Sequence, residues 1–128
     1  MNGAEVTAVS SSSTSAQIKA DNSLLLTNSY TDLLSSIDAV YIASHPTKHY
    51  NHVKQALLAG KHVLCESPIA LSEAECNELY QLANSKNLIL MDAIKTAYST
   101  AYNRLLLLLN SGKIGQVLSC LLYTSDAA

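Results

Sequence analysis

The residues with the clearest capacity for chemistry lie in the stretch 61–68, KHVLCESP. Its apolar part, residues 62–65, predicts a short buried strand. Pro68 ends that strand, because proline lacks an N–H and biases Ser67 toward an extended conformation. Glu66 and Ser67 therefore place a carboxylate and a hydroxyl at the carboxyl end of the strand. In open α/β sheets this is the edge at which ligands bind.

A second group of polar residues follows the clearest strand pattern in the chain, residues 38–43. Its continuous apolar run is typical of a strand that is covered on both faces. Ser44, His45 and His49 come directly after it. His49 and His52 have a spacing that metals can use, but no carboxylate or thiol completes a site within that predicted helix. We therefore expect no metal site.

The segments between these groups alternate between helix and strand. Residues 48–59 carry apolar side chains at helical spacing, and Gly60 predicts the left-handed residue that ends the helix. A capping box opens the next helix, residues 72–85, and a strand at 88–91 and a loop at 92–98 follow. Repeated strand–helix units indicate a parallel sheet with crossover helices. In the second helix, the residues predicted to face the sheet are Cys76, Leu79, Tyr80 and Ala83.

The N-terminal region contains two weaker strand patterns, at residues 5–9 and 23–27. The serine-rich run between them, residues 10–15, allows two interpretations: a flexible linker, or a turn whose hydroxyls cap a helix at 16–21. Capping residues and a short helix at 32–36 follow the second strand.

The C-terminal region predicts a helix at residues 100–110 with an unusually wide leucine stripe, which we expect to be covered on two sides. Residues 111–115 end this helix. A further strand is expected at 116–123.

Composition excludes several classes of partner. The net charge is −2 and no Lys/Arg cluster occurs, so neither nucleic acid nor an anionic membrane surface has electrostatic support. The longest apolar run is residues 105–109, whereas a membrane-spanning helix needs about 20 residues. The three cysteines are scattered, which is typical of reduced thiols in a cytoplasmic protein. Cys65 is expected to be a small core residue and not a nucleophile.

The blocks DAVYIASHPTKH and AGKHVLCESP together resemble the signature of the Gfo/Idh/MocA oxidoreductases, the glucose-fructose oxidoreductase and inositol dehydrogenase family. The resemblance runs from about Glu5 to Val117. It implies an α/β fold, a Rossmann-like parallel sheet with helices on both faces, over residues 1–115. Residues 116–128 would then be the start of a second domain or a non-native tail.

The resemblance also implies an activity: hydride transfer between NAD or NADP and a sugar, cyclitol or similar polyol. The family commonly has an Asp at the first strand end, to bind a ribose 2′-hydroxyl. Ser10 or Ser11 stands there in this chain, which permits NADP. The residues that the resemblance places at the cofactor are Ser10, Ser11, Ala43, Ser44, His45, His49, Glu66, Ser67 and Asp92.

One departure from the family concerns catalysis. The signature normally ends Glu-Lys-Pro, and Ser67 replaces the catalytic lysine. Our hypothesis is that Lys95, in the loop after the next strand, takes over this role with Tyr98 nearby. The alternative is that Lys95 is a solvated loop residue. The missing lysine also favours an alternative interpretation, in which the chain is a non-catalytic nucleotide-binding or regulatory module.

A second departure concerns the phosphate loop. The four glycines, at positions 3, 60, 112 and 115, form no G-x-G-x-x-G motif. We therefore expect a chain that lacks the first strand and its glycine loop, is truncated at both ends and is inactive alone. A missing strand would leave an exposed sheet edge and a gap in the core. From this we expect marginal stability and a tendency to form homo-oligomers.

Overall fold

A computed structural model describes residues 3–11 and 24–119. Contacts divide the chain into two compact units, Met1–Ala93 and Ile94–Ala128. The second unit contains a 3₁₀ helix, Lys95–Tyr98, and the helix α4, Thr100–Asn110. The described elements of the first unit, in chain order, are β1 (Ala8–Ser10), β2 (Leu25–Thr27), α1 (Tyr30–Ser35), β3 (Ala39–Ile42), α2 (Pro46–Leu58), β4 (His62–Cys65), α3 (Glu73–Ser85) and β5 (Leu90–Asp92).

The strands of the first unit form two parallel sheets. β1 pairs with β2, and β3, β4 and β5 pair in that order. Ala39 lies opposite His62, and Cys65 lies opposite Asp92. The side chain of His62 adds a contact between β4 and the residue before β5. Its Nδ1 accepts a hydrogen bond from the Ile89 N–H at 3.0 Å. The predicted Rossmann-like α/β fold with a parallel sheet is confirmed.

Local sequence explains where α2 begins and ends. Pro46 occupies the first turn, where a missing N–H costs nothing, and the Nδ1 of His45 accepts from the Thr47 N–H at 3.4 Å. Val53 and Leu57, one turn apart, are fully buried. Gly60 has a φ of +75°, a left-handed conformation that glycine adopts without strain. The predicted helix and its glycine stop are both present.

α3 begins with the predicted cap. The Ser72 Oγ accepts from the Glu75 N–H at 3.2 Å, and the Glu75 carboxylate accepts from the Leu71 N–H at 3.3 Å. Lys54 on α2 forms an ion pair of 2.6 Å with Glu78 on α3. The two side chains are 37% and 49% exposed, so solvent screens this pair and it contributes little to stability.

The hydrophobic core lies between the three-stranded sheet and the helices of the first unit. Its most deeply buried large side chains come from α2, α3 and β4, and a single polar residue, His49, is buried with them among the described residues. The apolar core residues are Leu33, Leu34, Val40, Ile42, Val53, Ala56, Leu57, Val63, Cys65, Ile69, Leu79, Ala83 and Leu90.

Several sequence-based boundaries and one predicted helix face in the first unit need correction. The strand expected at 23–27 spans Leu25–Thr27, and the helix expected at 32–36 spans Tyr30–Ser35. The fifth strand begins at Leu90 and includes Asp92, because pairing with β4 sets its length. The first strand is Ala8–Ser10 and not residues 5–9, and Val6 is 50% exposed. Tyr80 was expected to face the sheet, but it is 38% exposed. Leu82 packs against the core on that helix instead.

In the second unit the predicted helix is present, but its leucines are more exposed than expected. α4 has the predicted bounds, but Leu107 is 69% exposed and Leu108 51% exposed, so the expected cover on two sides is wrong for the described residues. The predicted loop at 92–98 contains the 3₁₀ helix. Residues 116–119 form no strand.

Some predictions lie outside what the structure describes. The helix expected at residues 16–21 and the strand residues 120–123 fall outside the described ranges. The predicted domain boundary after Gly115 stays a prediction. No helix within residues 3–11 and 24–119 has the length and apolar character needed to cross a bilayer.

Two adjacent leucines of α2 test this description of the core. Leu57 is fully buried and Leu58 is 55% exposed. We expect Leu57→Ala to lower the free energy of unfolding by about 2–4 kcal/mol, because it leaves a cavity. The matched variant Leu58→Ala should lower it by less than about 0.5 kcal/mol. Urea denaturation followed by circular dichroism measures both, and equal losses would contradict the assigned helix face.

Candidate functional site

The candidate site lies where the parallel strands of the first unit end. One groove of about 1140 Å³ contains Ser10 at the end of β1, Ser11 directly after it, and the segment Ala43, Ser44 and His45 after β3. These two groups of residues, which lie more than thirty positions apart in sequence, thus line one surface. The strand ends of β4 and β5 provide the other predicted residues, Glu66, Ser67 and Asp92.

Ser44 is held by a histidine of α2. Its Oγ lies 3.0 Å from the Nδ1 of His52. The His52 ring packs on Tyr30, with ring centroids 4.8 Å apart, and the Tyr30 hydroxyl donates to the His52 carbonyl oxygen at 2.9 Å. Burial, followed by the charges of Lys48 and His49, lowers the pKa of His52. Neutral His52 can therefore accept the hydroxyl proton of Ser44 in a hydrogen bond.

His49 lies beneath the site. It is 1% exposed, and its ring joins the loops after β3 and β4. Its Nε2 is 2.7 Å from the Ser44 carbonyl oxygen, and its Nδ1 is 2.8 Å from the Pro68 carbonyl oxygen. Both partners are acceptors, so a doubly protonated ring donates to both and a neutral ring donates to one. In this structure His49 positions the two loops and does not line the groove.

Glu66 is oriented from the neighbouring strand. The Tyr41 hydroxyl donates to its carboxylate. This hydrogen bond is the largest cause of a raised pKa for Tyr41, and burial adds to it. Cys65, one residue earlier, is fully buried. Burial, followed by the charges of Asp92 and Glu66, raises the pKa of its thiol to about 12. Cys65 is therefore a core residue at neutral pH and not a nucleophile.

The Ser67 side chain forms a hydrogen bond with Asp92, which lies opposite Cys65 on the adjacent strand. Burial raises the pKa of Asp92, and a hydrogen bond from Ser67 partly opposes this increase. The negative charge of Glu66 raises it further, whereas His49 lowers it. A carboxyl group with a raised pKa beside a hydroxyl is suited to accepting and releasing protons.

Lys95 is the first residue of the 3₁₀ helix in the second unit. Tyr98 ends that helix and is 59% exposed. The predicted role of Lys95 and Tyr98 in catalysis stays a prediction. Within the described ranges, no three His, Cys, Asp or Glu side chains are grouped so that they could hold a metal ion.

Sequence reasoning missed three side chains that shape the site. Tyr30 and Tyr41 make contacts across more than twenty positions in the chain, with His52 and Glu66 respectively. Lys48 lines the groove and supplies a positive charge. No local pattern could reveal the tyrosine contacts, because pairing and packing of separate elements create them.

Comparison with known proteins identifies the kind of chain to which this one is similar. A family model described as an oxidoreductase family with an NAD-binding Rossmann fold matches residues 1–93. An uncharacterized oxidoreductase of Synechocystis is 39% identical over 92 residues, covering 70% of this chain and 25% of that protein. D-xylose 1-dehydrogenase (NADP(+)) of Hypocrea jecorina is 35% identical over 91 residues, covering 70% of this chain and 23% of that protein.

Solved structures of oxidoreductases are also similar to this chain. Myo-inositol 2-dehydrogenase from Lactobacillus plantarum superposes with a TM-score of 0.80 at 25% identity, covering 90% of this chain and 36% of that one. Apo scyllo-inositol dehydrogenase from Lactobacillus casei gives 0.79 at 27% identity, covering 87% and 35%. The chain spans about a quarter of the length of the curated relatives named above.

The raised pKa of Asp92 predicts a dependence of stability on pH. A carboxyl group that binds its proton more tightly in the folded state favours folding at low pH, and this contribution is lost as pH rises through the folded pKa. We expect Asp92→Asn to be more stable than the parent at pH 7, with a difference that shrinks toward pH 4. Urea midpoints at both pH values measure this difference.

The exposed carboxylate of Asp38 provides the control, since Asp38→Asn makes the same chemical change outside the buried edge of the sheet and should change stability little. A difference for Asp92→Asn that grows as pH falls would contradict the assigned environment of Asp92.

The two contacts of His49 predict a graded loss of stability. His49→Leu removes the ring nitrogens that contact the Ser44 and Pro68 carbonyl oxygens from a fully buried position and should cost about 2–4 kcal/mol. His49→Gln keeps an amide donor and should cost less. Guanidinium denaturation of both variants measures this, and a leucine variant as stable as the parent would show that the ring does not join the loops.

Proposed function

The chain belongs to the Gfo/Idh/MocA oxidoreductase family, and we propose that it forms the nicotinamide-dinucleotide-binding part of an enzyme of that family. The reaction would be hydride transfer between NAD or NADP and a sugar, cyclitol or similar polyol. The observation that carries this proposal is the meeting of Ser10, Ser11, Ser44 and His45 in one groove at the carboxyl ends of parallel strands. This is the position at which doubly wound sheets bind dinucleotides.

The groove residues fit the polar groups of a dinucleotide. Serine hydroxyls at positions 10 and 11 can donate to and accept from ribose hydroxyls. The absence of a carboxylate there leaves room for a 2′-phosphate, so either NAD or NADP is accommodated. Lys48 and the first turn of α2 offer positive charge to a pyrophosphate. Ala43, with its small side chain, allows close approach to the strand end.

The nicotinamide end of the cofactor is assigned to Glu66, Ser67 and Asp92. Bound nicotinamide supplies the hydride chemistry, and the protein supplies orientation and proton transfer. We propose Lys95 as the catalytic group that replaces the lysine missing at position 67. The similarity to a xylose dehydrogenase and two inositol dehydrogenases supports a sugar or cyclitol as the substrate.

A second candidate function rests on Ser67. A serine hydroxyl is a poor base unless another group activates it. A nucleotide-binding or regulatory module without catalysis accounts for this residue directly. Inactivity of the chain alone, a cytoplasmic location and assembly into homo-oligomers remain predictions.

Titration of the purified chain with NADH and NADPH, followed by nicotinamide fluorescence, tests the cofactor assignment. We expect saturable binding of both. Ser11→Asp should weaken NADPH by about tenfold or more and leave NADH nearly unchanged, because a carboxylate repels the 2′-phosphate and accepts from the 2′-hydroxyl. Thr31→Asp, with the same charge change on the exposed start of α1, should alter neither affinity.

Each outcome has a definite meaning. No binding of either nucleotide to a chain with a cooperative unfolding transition would overturn the assignment for this polypeptide. Equal weakening of NADPH by both aspartate variants would mean that Ser11 does not lie at the ribose. Binding without turnover in a longer chain that retains Lys95 would favour the regulatory module.

A further inference from the structure

His52 lines the groove beside Ser44 and Lys48. Lys48 lies one turn earlier on the same helix, and the Ser44 Oγ lies 3.0 Å from the Nδ1 of His52. The ring of Tyr30, the first residue of α1, packs on the imidazole with 4.8 Å between the ring centroids. The imidazole is therefore held beside the Ser44 hydroxyl by contacts from outside its own helix.

The protonation state of His52 decides what the Ser44 hydroxyl can offer to a ligand. A neutral ring with its proton on Nε2 accepts the hydroxyl hydrogen at Nδ1, so the serine offers only oxygen lone pairs to the groove. A protonated ring carries a hydrogen on both nitrogens, so Nδ1 then donates to the serine oxygen. The hydroxyl hydrogen can now point into the groove. The protonated pair therefore presents a donor and a positive charge, and both suit an anion.

The titratable groups around His52 are cationic or neutral. Burial is the largest cause of its lowered pKa, and the charges of Lys48 and His49 on the same helix lower it further. The loop after β3 adds His45, which also lines the groove. From α1 the ring contacts Tyr30, whose pKa is raised by burial, so this phenol is uncharged at neutral pH.

The carboxylates of the groove lie at its other end. Among the described residues that line it, the acidic ones are Glu5, before β1, and Asp38, before β3. His52 is bonded to Ser44, which follows the carboxyl end of β3. The carboxylates that follow or end β4 and β5, Glu66 and Asp92, do not line the groove. An anionic ligand would therefore supply the counter-charge at the end of the groove that contains His52.

We propose that His52 is a positioning residue for Ser44, and that binding of a dinucleotide in the groove is coupled to the uptake of a proton by the His52 ring. The inference rests on the proposed function, because the pyrophosphate of the cofactor is the anion. Its charge offsets that of Lys48, which disfavours the imidazolium. The proton comes from solvent, the ring donates to the Ser44 oxygen, and the hydroxyl donates to the ligand.

Thermodynamic linkage gives the direction of the pH dependence. An anion that raises the pKa of His52 binds more tightly where the ring is protonated. Affinity therefore increases as pH falls through the pKa of the complex and becomes constant below the pKa of the unliganded protein. Because the latter lies below the ordinary value of 6.5, the increase should continue into mildly acidic solution.

The test is calorimetric titration of the purified chain with NADH at pH 6 and pH 8, in two buffers that differ in ionisation enthalpy. NADH is used because a 2′-phosphate, as in NADPH, itself titrates near pH 6. We expect uptake of about half a proton for each NADH bound at pH 6, and a Kd about threefold lower at pH 6 than at pH 8.

Two asparagine variants separate the proton from the packing of the ring. His52→Asn keeps an acceptor near the position of Nδ1 but cannot titrate. NADH should still bind, proton uptake should disappear, and the Kd should be the same at both pH values. His62→Asn is the matched control, because His62 lies outside the residues that line the groove and its Nδ1 likewise accepts one hydrogen bond. It should leave proton uptake unchanged.

Nuclear magnetic resonance of the histidine rings gives a measurement on the unmodified chain, which is decisive if His52→Asn fails to fold. The His52 ring is identified by its contact with Tyr30. Its pKa should rise when NADH is added, and a pKa that NADH leaves unchanged would overturn the inference.

The remaining outcomes distinguish the two proposals. NADH binding that is independent of pH, or proton uptake that persists in His52→Asn, would overturn this inference and leave the cofactor assignment intact. Proton uptake that disappears in His45→Asn instead would assign the proton to the neighbouring histidine and also overturn it. No binding of NADH at either pH, by a chain that unfolds cooperatively, would overturn both proposals.

Discussion

Parallel backbone pairing of β3, β4 and β5 is the constraint on which the rest of the first unit depends. Parallel strands cannot be joined by tight turns, so each must be followed by a crossover element. The helices α2 and α3 are these crossovers, and their buried leucines fill the space against the sheet. The same constraint places all carboxyl ends at one edge. Ser44, Glu66 and Asp92 are near one another for this reason and not because of their own interactions.

Burial then decides the chemistry of the groups at that edge. Removal from water disfavours charged forms, so burial raises the pKa values of Cys65 and Asp92 and lowers that of His52. The thiol becomes an inert core residue, and the imidazole becomes a neutral acceptor for Ser44. Asp92 keeps a carboxyl group whose pKa lies above that of an exposed aspartate. Burial therefore gives the thiol, the imidazole and the carboxyl group different roles.

The sequence by itself determined the local structure wherever it carries a strong short-range signal. Apolar residues at helical spacing and a glycine stop predicted α2, although the helix begins at Pro46 and not at residue 48, and the serine cap predicted the start of α3. The strand at residues 62–65 and the helix at 100–110 have the predicted bounds. The family could also be predicted, because the first block keeps its spacing to His49, although Pro46 is displaced by one position, and the second block matches apart from Ser67.

Only the tertiary structure decided contacts between distant elements. The start of β5 follows from its pairing with β4, the place of Tyr30 and Tyr41 follows from packing, and His49 proves to be buried between two loops. Exposure of Tyr80 and Leu107 likewise depends on what covers each helix. The physical reason is that propensities and caps act within a few residues, whereas burial and strand pairing join residues that the chain brings together only when it folds.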